Sequence, residues 1–90
     1  MSVIYLHLGQ ETVVKTANII GIFDMDTSTV SKPTRDFLNL SEKQGKVINV
    51  SFELPKSFVV CNENGKLKVY ISQISPATLQ KRAVSKKFVF

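Results

Sequence analysis

The sequence is poor in the residues that carry most protein chemistry. It contains one cysteine (Cys61), one histidine (His7) and no tryptophan among 90 residues. A single cysteine excludes a disulfide within the chain, and a structural zinc site needs about four cysteine or histidine ligands. We therefore expect neither a metal site nor a cofactor. A domain this short is marginally stable without such help, so association into a homo-oligomer is expected instead.

Long hydrophobic runs are also missing. No segment approaches the roughly 20 apolar residues that cross a membrane, and no basic-then-apolar export signal begins the chain. A lone thiol suits a reducing compartment. These features predict a cytoplasmic protein without a membrane partner. The length predicts a single domain over residues 1–90, in which residues 84–90 form a tail that is flexible or adds a strand to a neighbour.

Groups that could perform catalysis are not assembled in the sequence. The four glycines stand far apart, which excludes a phosphate-cradling glycine-rich loop. His7 has no second group to orient it as a general base, and Cys61 closes an apolar strand, as a packed thiol does. Asp24 and Asp26 lack the other ligands of a calcium loop. We expect a binding protein rather than an enzyme, with no small-molecule substrate.

The apolar pattern predicts an α+β fold in the order β-β-β-α-β-β-β-α. This is a small, mostly antiparallel β-sheet domain of about six strands with one main helix and a short C-terminal helix. The main helix is expected between Ser31 and Gly45, and the short helix from Pro76 to about Arg82. Residues 62–65 are the strongest hairpin signal. Strands are predicted at residues 3–8, 11–15, 19–23, 47–50, 57–61 and 66–72.

The positive charge of the chain is concentrated in its second half. The net charge is +5, yet residues 1–55 hold five Lys/Arg against six Asp/Glu, whereas residues 56–90 hold seven against one. A polarised basic half is typical of a protein that binds nucleic acid, an anionic membrane surface or an acidic partner. A basic protein without an anionic ligand is the alternative reading.

Six basic residues are candidates for contacts to DNA phosphates. Lys32 and Arg35 lie one turn apart on the main helix and share a face. Lys81 and Arg82 end a short helix, where a cation is stabilising even without a ligand. Lys68 is interpreted instead as protecting a sheet face or edge from aggregation. The six candidates are Lys15, Lys56, Lys81, Arg82, Lys32 and Arg35.

Three stretches, read together, resemble a known family. In their order and spacing they look like the bacterial extracellular matrix regulatory protein family, in its RemB (YaaB-like) branch. The resemblance covers roughly residues 3–83. The stretches are Tyr5–Gly9 with Val13-Val14 and Ile19–Asp24, then Pro55–Val60, and finally Val69–Ser75 with Thr78–Arg82.

This resemblance implies a small cytoplasmic protein of Gram-positive bacteria. The related RemA branch is a DNA-binding activator of biofilm-matrix genes that assembles into rings. In that branch, arginines near the positions matched here by Asn18 and by residues 53–56 contact DNA. The chain departs from that pattern, because only Lys56 keeps a cation there, with Lys15 expected nearby.

The resemblance and the charge together predict a DNA-binding transcriptional regulator of extracellular-matrix genes that acts as a ring-like homo-oligomer. A ring repeats the few cations of each subunit, so that weak phosphate contacts act together. Apolar strand faces such as Val3/Tyr5 or Val69/Ile71 are expected between subunits. The alternative is a structural or adaptor oligomer that binds a protein partner, with weak or no DNA binding.

Overall fold

The computed structural model describes residues 5–28 and 30–85 and confirms the α+β fold. A single 3-10 turn at Thr16–Asn18 joins the second and third strands. The helices are α1 (Met25–Ser28), α2 (Lys32–Lys43) and α3 (Pro76–Ser85). The strands are β1 (Tyr5–Gly9), β2 (Thr12–Lys15), β3 (Ile19–Asp24), β4 (Val47–Asn49), β5 (Ser57–Glu63) and β6 (Lys66–Ser72).

The strands form a two-stranded hairpin, β1-β2, and a four-stranded sheet in the order β3-β5-β6-β4. All neighbours are antiparallel except β4, which is parallel to β6. The turn between β5 and β6 is the predicted hairpin: Asn64 and Gly65 have positive φ angles of 56° and 80°, as a type I′ turn requires. The parallel pairing follows from α2, which carries the chain back along the sheet before β4 begins.

The core has two halves, one on each face of the four-stranded sheet, because side chains alternate along a strand. On one face α2 covers Phe58, Val60 and Val69. On the other face the hairpin and α3 cover a second cluster, which includes Val59, Cys61, Tyr70, Leu6, Leu8, Leu79 and Ala83.

This packing corrects one expected subunit interface. Val69 is 0% exposed beneath α2 and Ile71 packs against the same cluster, so a Val69/Ile71 face is already occupied within the subunit. Tyr5 of the other expected interface is half exposed, whereas Val3 lies outside the described residues.

The end of α2 sets the start of β4. Gly45 has a φ of 70°; its amide donates to the Glu42 carbonyl at 3.0 Å, and the Lys46 amide donates to the Ser41 carbonyl at 2.9 Å. This is the Schellman pattern, in which a left-handed residue stops a helix and its last carbonyls are satisfied. The chain therefore turns sharply, and Lys46 directly precedes β4.

The four-stranded sheet has two distinct ends, which we name after β5. At the Ser57 end lie the β4–β5 loop, α1, the starts of α2 and α3 and the β1–β2 turn. The Lys56 carbonyl accepts from the Met25 amide and the Lys56 amide donates to the Ser72 carbonyl, both at 2.9 Å. The Glu63 end holds the β5–β6 turn, the 3-10 turn and the end of α2. At about 3.3 Å per residue, β5 separates the two ends by about 20 Å.

Helix α3 runs further than its predicted end at Arg82 and continues to Ser85. The rest of the expected tail, residues 86–90, lies outside the described residues. Within residues 5–28 and 30–85, no helix is both long enough and apolar enough to span a membrane.

Candidate nucleic-acid interface

Lys15 and Lys56 lie at opposite ends of the sheet. Lys15 ends β2 at the Glu63 end, where it lines a cleft with Asn18. Lys56 is fixed at the Ser57 end by its two backbone hydrogen bonds. The expectation that Lys15 lies near Lys56 is therefore wrong within one subunit, because about 20 Å of strand separates them.

The cleft beside Lys15 has a volume of about 350 Å³ and mixed charge. It also contains Glu63, whose Oε2 accepts a 2.5 Å hydrogen bond from the Tyr70 hydroxyl. Burial, together with this bond and the nearby carboxylate charge, raises the pKa of Tyr70. The negative charge of the Glu63 carboxylate repels a phosphate inside the cleft. We therefore expect Lys15 to contact a phosphate only at the rim of the cleft.

Lys32 and Arg35 occupy the first turns of α2, at the Ser57 end, and both make local contacts. The Lys32 Nζ lies 2.8 Å from Asp36 Oδ2, and both side chains are largely exposed. The Arg35 Nη1 donates to the Val30 carbonyl at 2.9 Å. An exposed i,i+4 ion pair is worth at most about 1 kcal/mol, so Lys32 can exchange Asp36 for a phosphate at little cost.

Lys81 and Arg82 lie on the exposed side of α3, whose opposite side buries Leu79 and Ala83. The Arg82 Nη1 donates to the His7 carbonyl of β1 at 3.3 Å. This hydrogen bond links α3 to the hairpin, so Arg82 has a structural role in addition to any contact with a phosphate. The six candidates thus occupy three separate regions rather than one surface.

The charges of the two ends differ in sign. The Ser57 end has more acids than bases, with a net charge of −2, whereas the Glu63 end has a net charge of +3. At the Ser57 end are Lys32, Arg35, Lys56, Glu11, Asp24, Asp26, Asp36 and Glu53. At the Glu63 end are Lys15, Lys43, Lys46, Lys66, Lys68, Glu42 and Glu63. The field of a subunit therefore favours a polyanion at the Glu63 end.

Asp24 is one of the acidic residues at the Ser57 end, and backbone hydrogen bonds fix the position of its carboxylate. Its Oδ1 accepts from the backbone amides of Asp26 at 2.8 Å and Thr27 at 2.9 Å. The hydrogen bond from the Thr27 amide is the largest of the influences that lower the pKa of Asp24. The carboxylate thus stays ionised beside the start of α2, where it opposes an approaching phosphate.

A group of lysines at the Glu63 end was not among the predicted contacts. Lys46, Lys66 and Lys68 line a cavity of about 360 Å³, with Gln44, Gly45, Gly65 and Leu67 as the other lining residues. We call it the lysine pocket. These three lysines line one cavity only because β4 pairs in parallel with β6, which no local sequence signal reveals.

An apolar groove of about 330 Å³ runs along the edge strand β3, beside α2. Ile20 is 62% exposed, and Phe23 is 40% exposed although its ring stacks on Phe58, with centroids 5.1 Å apart. Pro33 and Phe37 of α2 form the opposite wall.

The β4–β5 loop presents two further apolar side chains. Phe52 is fully exposed and Leu54 is 82% exposed. The Glu53 amide between them donates to Ser51 Oγ at 3.0 Å, which fixes part of this loop. Two neighbouring exposed apolar side chains on one loop make it a candidate interaction surface.

The cysteine and the histidine, two residue types that often act in catalysis, have local structural explanations in this fold. Burial, with a smaller effect of the charge on Glu63, raises the pKa of Cys61 to about 12, so its thiol is protonated and unreactive at neutral pH. The His7 Nε2 lies 2.6 Å from the Gln10 carbonyl. Within the described part of the chain, no three His, Cys, Asp or Glu side chains come together as a metal site.

Comparison with known proteins gives two consistent findings. A family model described as "Extracellular matrix regulatory protein A-like" matches residues 5–83. The chain is 39% identical over 79 residues to "Extracellular matrix regulatory protein B" of Bacillus subtilis (strain 168), which covers 88% of this chain and 89% of that protein.

Proposed function

The chain belongs to the RemA-like family of extracellular matrix regulatory proteins, and from this premise we propose that it is a DNA-binding transcriptional regulator of biofilm extracellular-matrix genes. It acts in the cytoplasm, by binding rather than by catalysis, as a ring-like homo-oligomer. The observation that carries this proposal is the family match over residues 5–83.

The charge distribution supports DNA as the partner. The Glu63 end of each subunit carries five lysines against two glutamates. Lysine contacts to phosphates release counterions and give affinity without reading the base sequence. Lys15, Lys56 and Lys81 contribute such contacts singly, and they act together once the ring repeats them.

The exposed apolar surfaces support a head-to-tail assembly. Phe52 and Leu54 of one subunit enter the groove beside Ile20 and Phe23 of the next, which matches a projecting apolar loop to an apolar cavity of about 330 Å³. Burying a Phe or Leu side chain is worth about 1.5–3 kcal/mol. Because the two surfaces differ, the contact is heterologous, and a heterologous contact builds a ring when the rotation from one subunit to the next closes.

The proposal is tested by measuring affinity for duplex DNA from about 0.05 to about 0.3 M salt, with the oligomer mass determined on the same sample. We expect the logarithm of the binding constant to fall linearly with the logarithm of the salt concentration. The mass should be a multiple of 10.1 kDa. Absence of binding at low salt, or binding that does not weaken as salt rises, would contradict the DNA contact.

A second candidate function is an adaptor oligomer that binds a protein partner. It is favoured by the Ser57 end, where Phe52 and Leu54 flank Glu53 and the net charge is −2. The same experiment separates the candidates, because an adaptor forms the oligomer without salt-dependent DNA binding.

A further inference from the structure

We propose that the lysine pocket binds phosphate groups and that its occupant in the assembled regulator is a backbone phosphate of duplex DNA. This inference rests on the proposed function and names a contact point outside the six candidates. It starts from three cations around one cavity: Lys46, Lys66 and Lys68.

The two walls of the pocket are fixed relative to each other. One wall is the segment that ends α2, where the Lys46 amide is held by the Ser41 carbonyl at 2.9 Å. The other wall is the start of β6. The Val69 amide donates to the Lys46 carbonyl at 2.9 Å and joins the walls. The lysine stems therefore project from ordered backbone, which lowers the entropy lost when they bind a phosphate.

The start of β6 also offers a backbone donor. The amide of Val69 and the carbonyl of Ile71 both bond toward the β4 side, to Lys46 and Val50 respectively. Backbone groups alternate in direction along a strand, so Leu67 points to the same side as Val69. Because β4 begins only at Val47, opposite Val69, the Leu67 amide points past its start into the pocket. Backbone N–H groups beside cations are typical phosphate ligands.

The pocket has room for an anion. A Cβ atom placed on Gly45 or on Gly65 would meet no heavy atom within 4 Å. Both turns thus leave open space beside the lysines, so a phosphate can approach the backbone closely.

Two negative groups lie near the pocket. The end of a helix carries a partial negative charge, but the Glu42 and Ser41 carbonyls in the last turn of α2 accept from the Gly45 and Lys46 amides. Glu63 lies opposite Lys66 across the hairpin, but its carboxylate accepts from the Tyr70 hydroxyl at 2.5 Å and lines the cleft beside Lys15 rather than the lysine pocket. The described residues that line the pocket include no carboxylate, so attraction to a phosphate dominates.

The test replaces all three lysines by glutamine, as Lys46→Gln, Lys66→Gln and Lys68→Gln in one chain. Each lost phosphate contact lowers the salt slope by about one unit. Because the pocket holds one backbone phosphate, we expect the slope per subunit to fall by about one unit, and the affinity for duplex DNA at about 0.1 M salt to fall at least tenfold. The oligomer mass should remain that of the wild type.

Two control variants separate a pocket from a general charge effect. The matching triple arginine variant keeps the charge and should keep the slope. A second control lowers the net charge by the same three units at exposed amides elsewhere, with Gln10→Glu, Asn39→Asp and Asn49→Asp. This control should keep a slope close to that of the wild type, and a loss of slope equal to that of the glutamine variant would overturn the pocket.

The outcomes distinguish the pocket from the proposed function. An unchanged slope in the glutamine variant, while the wild type binds DNA, overturns the pocket and leaves the function standing. Loss of the oligomer in that variant makes the pocket a subunit contact and also overturns it. If the wild type does not bind duplex DNA, the proposed function is contradicted. Titration of the wild type with inorganic phosphate then tests phosphate binding by the pocket independently. In that titration, shifts of the Gly45, Gly65 and Leu67 amide resonances would support phosphate binding in the pocket, and the absence of such shifts would overturn it.

Discussion

Cys61 and Tyr70 both lie in the core cluster beneath the hairpin, where burial decides what their polar atoms do. Cys61 is 0% exposed and Tyr70 is 7% exposed, but only Tyr70 has a hydrogen-bond partner, Glu63, for its polar atom. Cys61 therefore acts as a small apolar group, whereas Tyr70 joins the core to the polar cleft beside Lys15.

The Cys61 thiol is expected to resist modification in the folded protein. Its pKa is raised from 9.0 to about 12 by burial, so folding favours the protonated form. The resulting stability is fully present below about pH 9 and is lost as the pH rises toward 12. A thiol reagent at about pH 8 should not label the native chain but should label it in urea. Stoichiometric labelling of the native protein would contradict this assignment.

Replacing Tyr70 by Phe should lower the free energy of unfolding by about 1 kcal/mol. The change removes the hydrogen bond to Glu63, whereas Glu63 is half-buried and regains water. Urea unfolding measures the effect. The matched variant Glu63→Gln keeps an acceptor for the hydroxyl and should cost less; a larger loss in Glu63→Gln would show that the carboxylate has another partner.

At the scale of elements, the sequence predicted what local signals determine. The Asn64-Gly65 turn, the stop of α2 at Gly45 and the start of α3 at Pro76 each depend on neighbouring residues, and all three predictions are confirmed. Adjacency across the sheet depends on strand pairing instead. The expected proximity of Lys15 to Lys56 was therefore wrong, and the pocket at Lys46 was missed.

The β4–β5 loop should control assembly without controlling the fold. In the variant Phe52→Ser with Leu54→Ser, the apolar groups that enter the neighbouring groove are removed, although they are exposed in the subunit itself. We expect the mass to fall to that of the monomer while the chain still unfolds cooperatively in urea, at a midpoint lowered only by the lost association. Val30→Ser is the control, because Val30 is 77% exposed but lies outside both surfaces. An unchanged oligomer in the loop variant would exclude the loop as the interface.

At the scale of the whole molecule, a head-to-tail interface makes a prediction that a self-complementary interface does not. The loop variant keeps an intact groove. A groove variant, Ile20→Ser with Phe23→Ser, keeps an intact loop. Each alone should be monomeric, since every contact would combine a loop with a groove and one of the two is damaged.

Mixed in equal amounts, these two variants should form a dimer and no larger ring. One intact loop and one intact groove remain, so a single contact forms and the assembly then stops. Sedimentation should give a species of about twice 10.1 kDa. This dimer should bind DNA more weakly than the ring at the same salt concentration, because fewer lysine pockets act together. A mixture that stays monomeric would show that the ring is built on other surfaces.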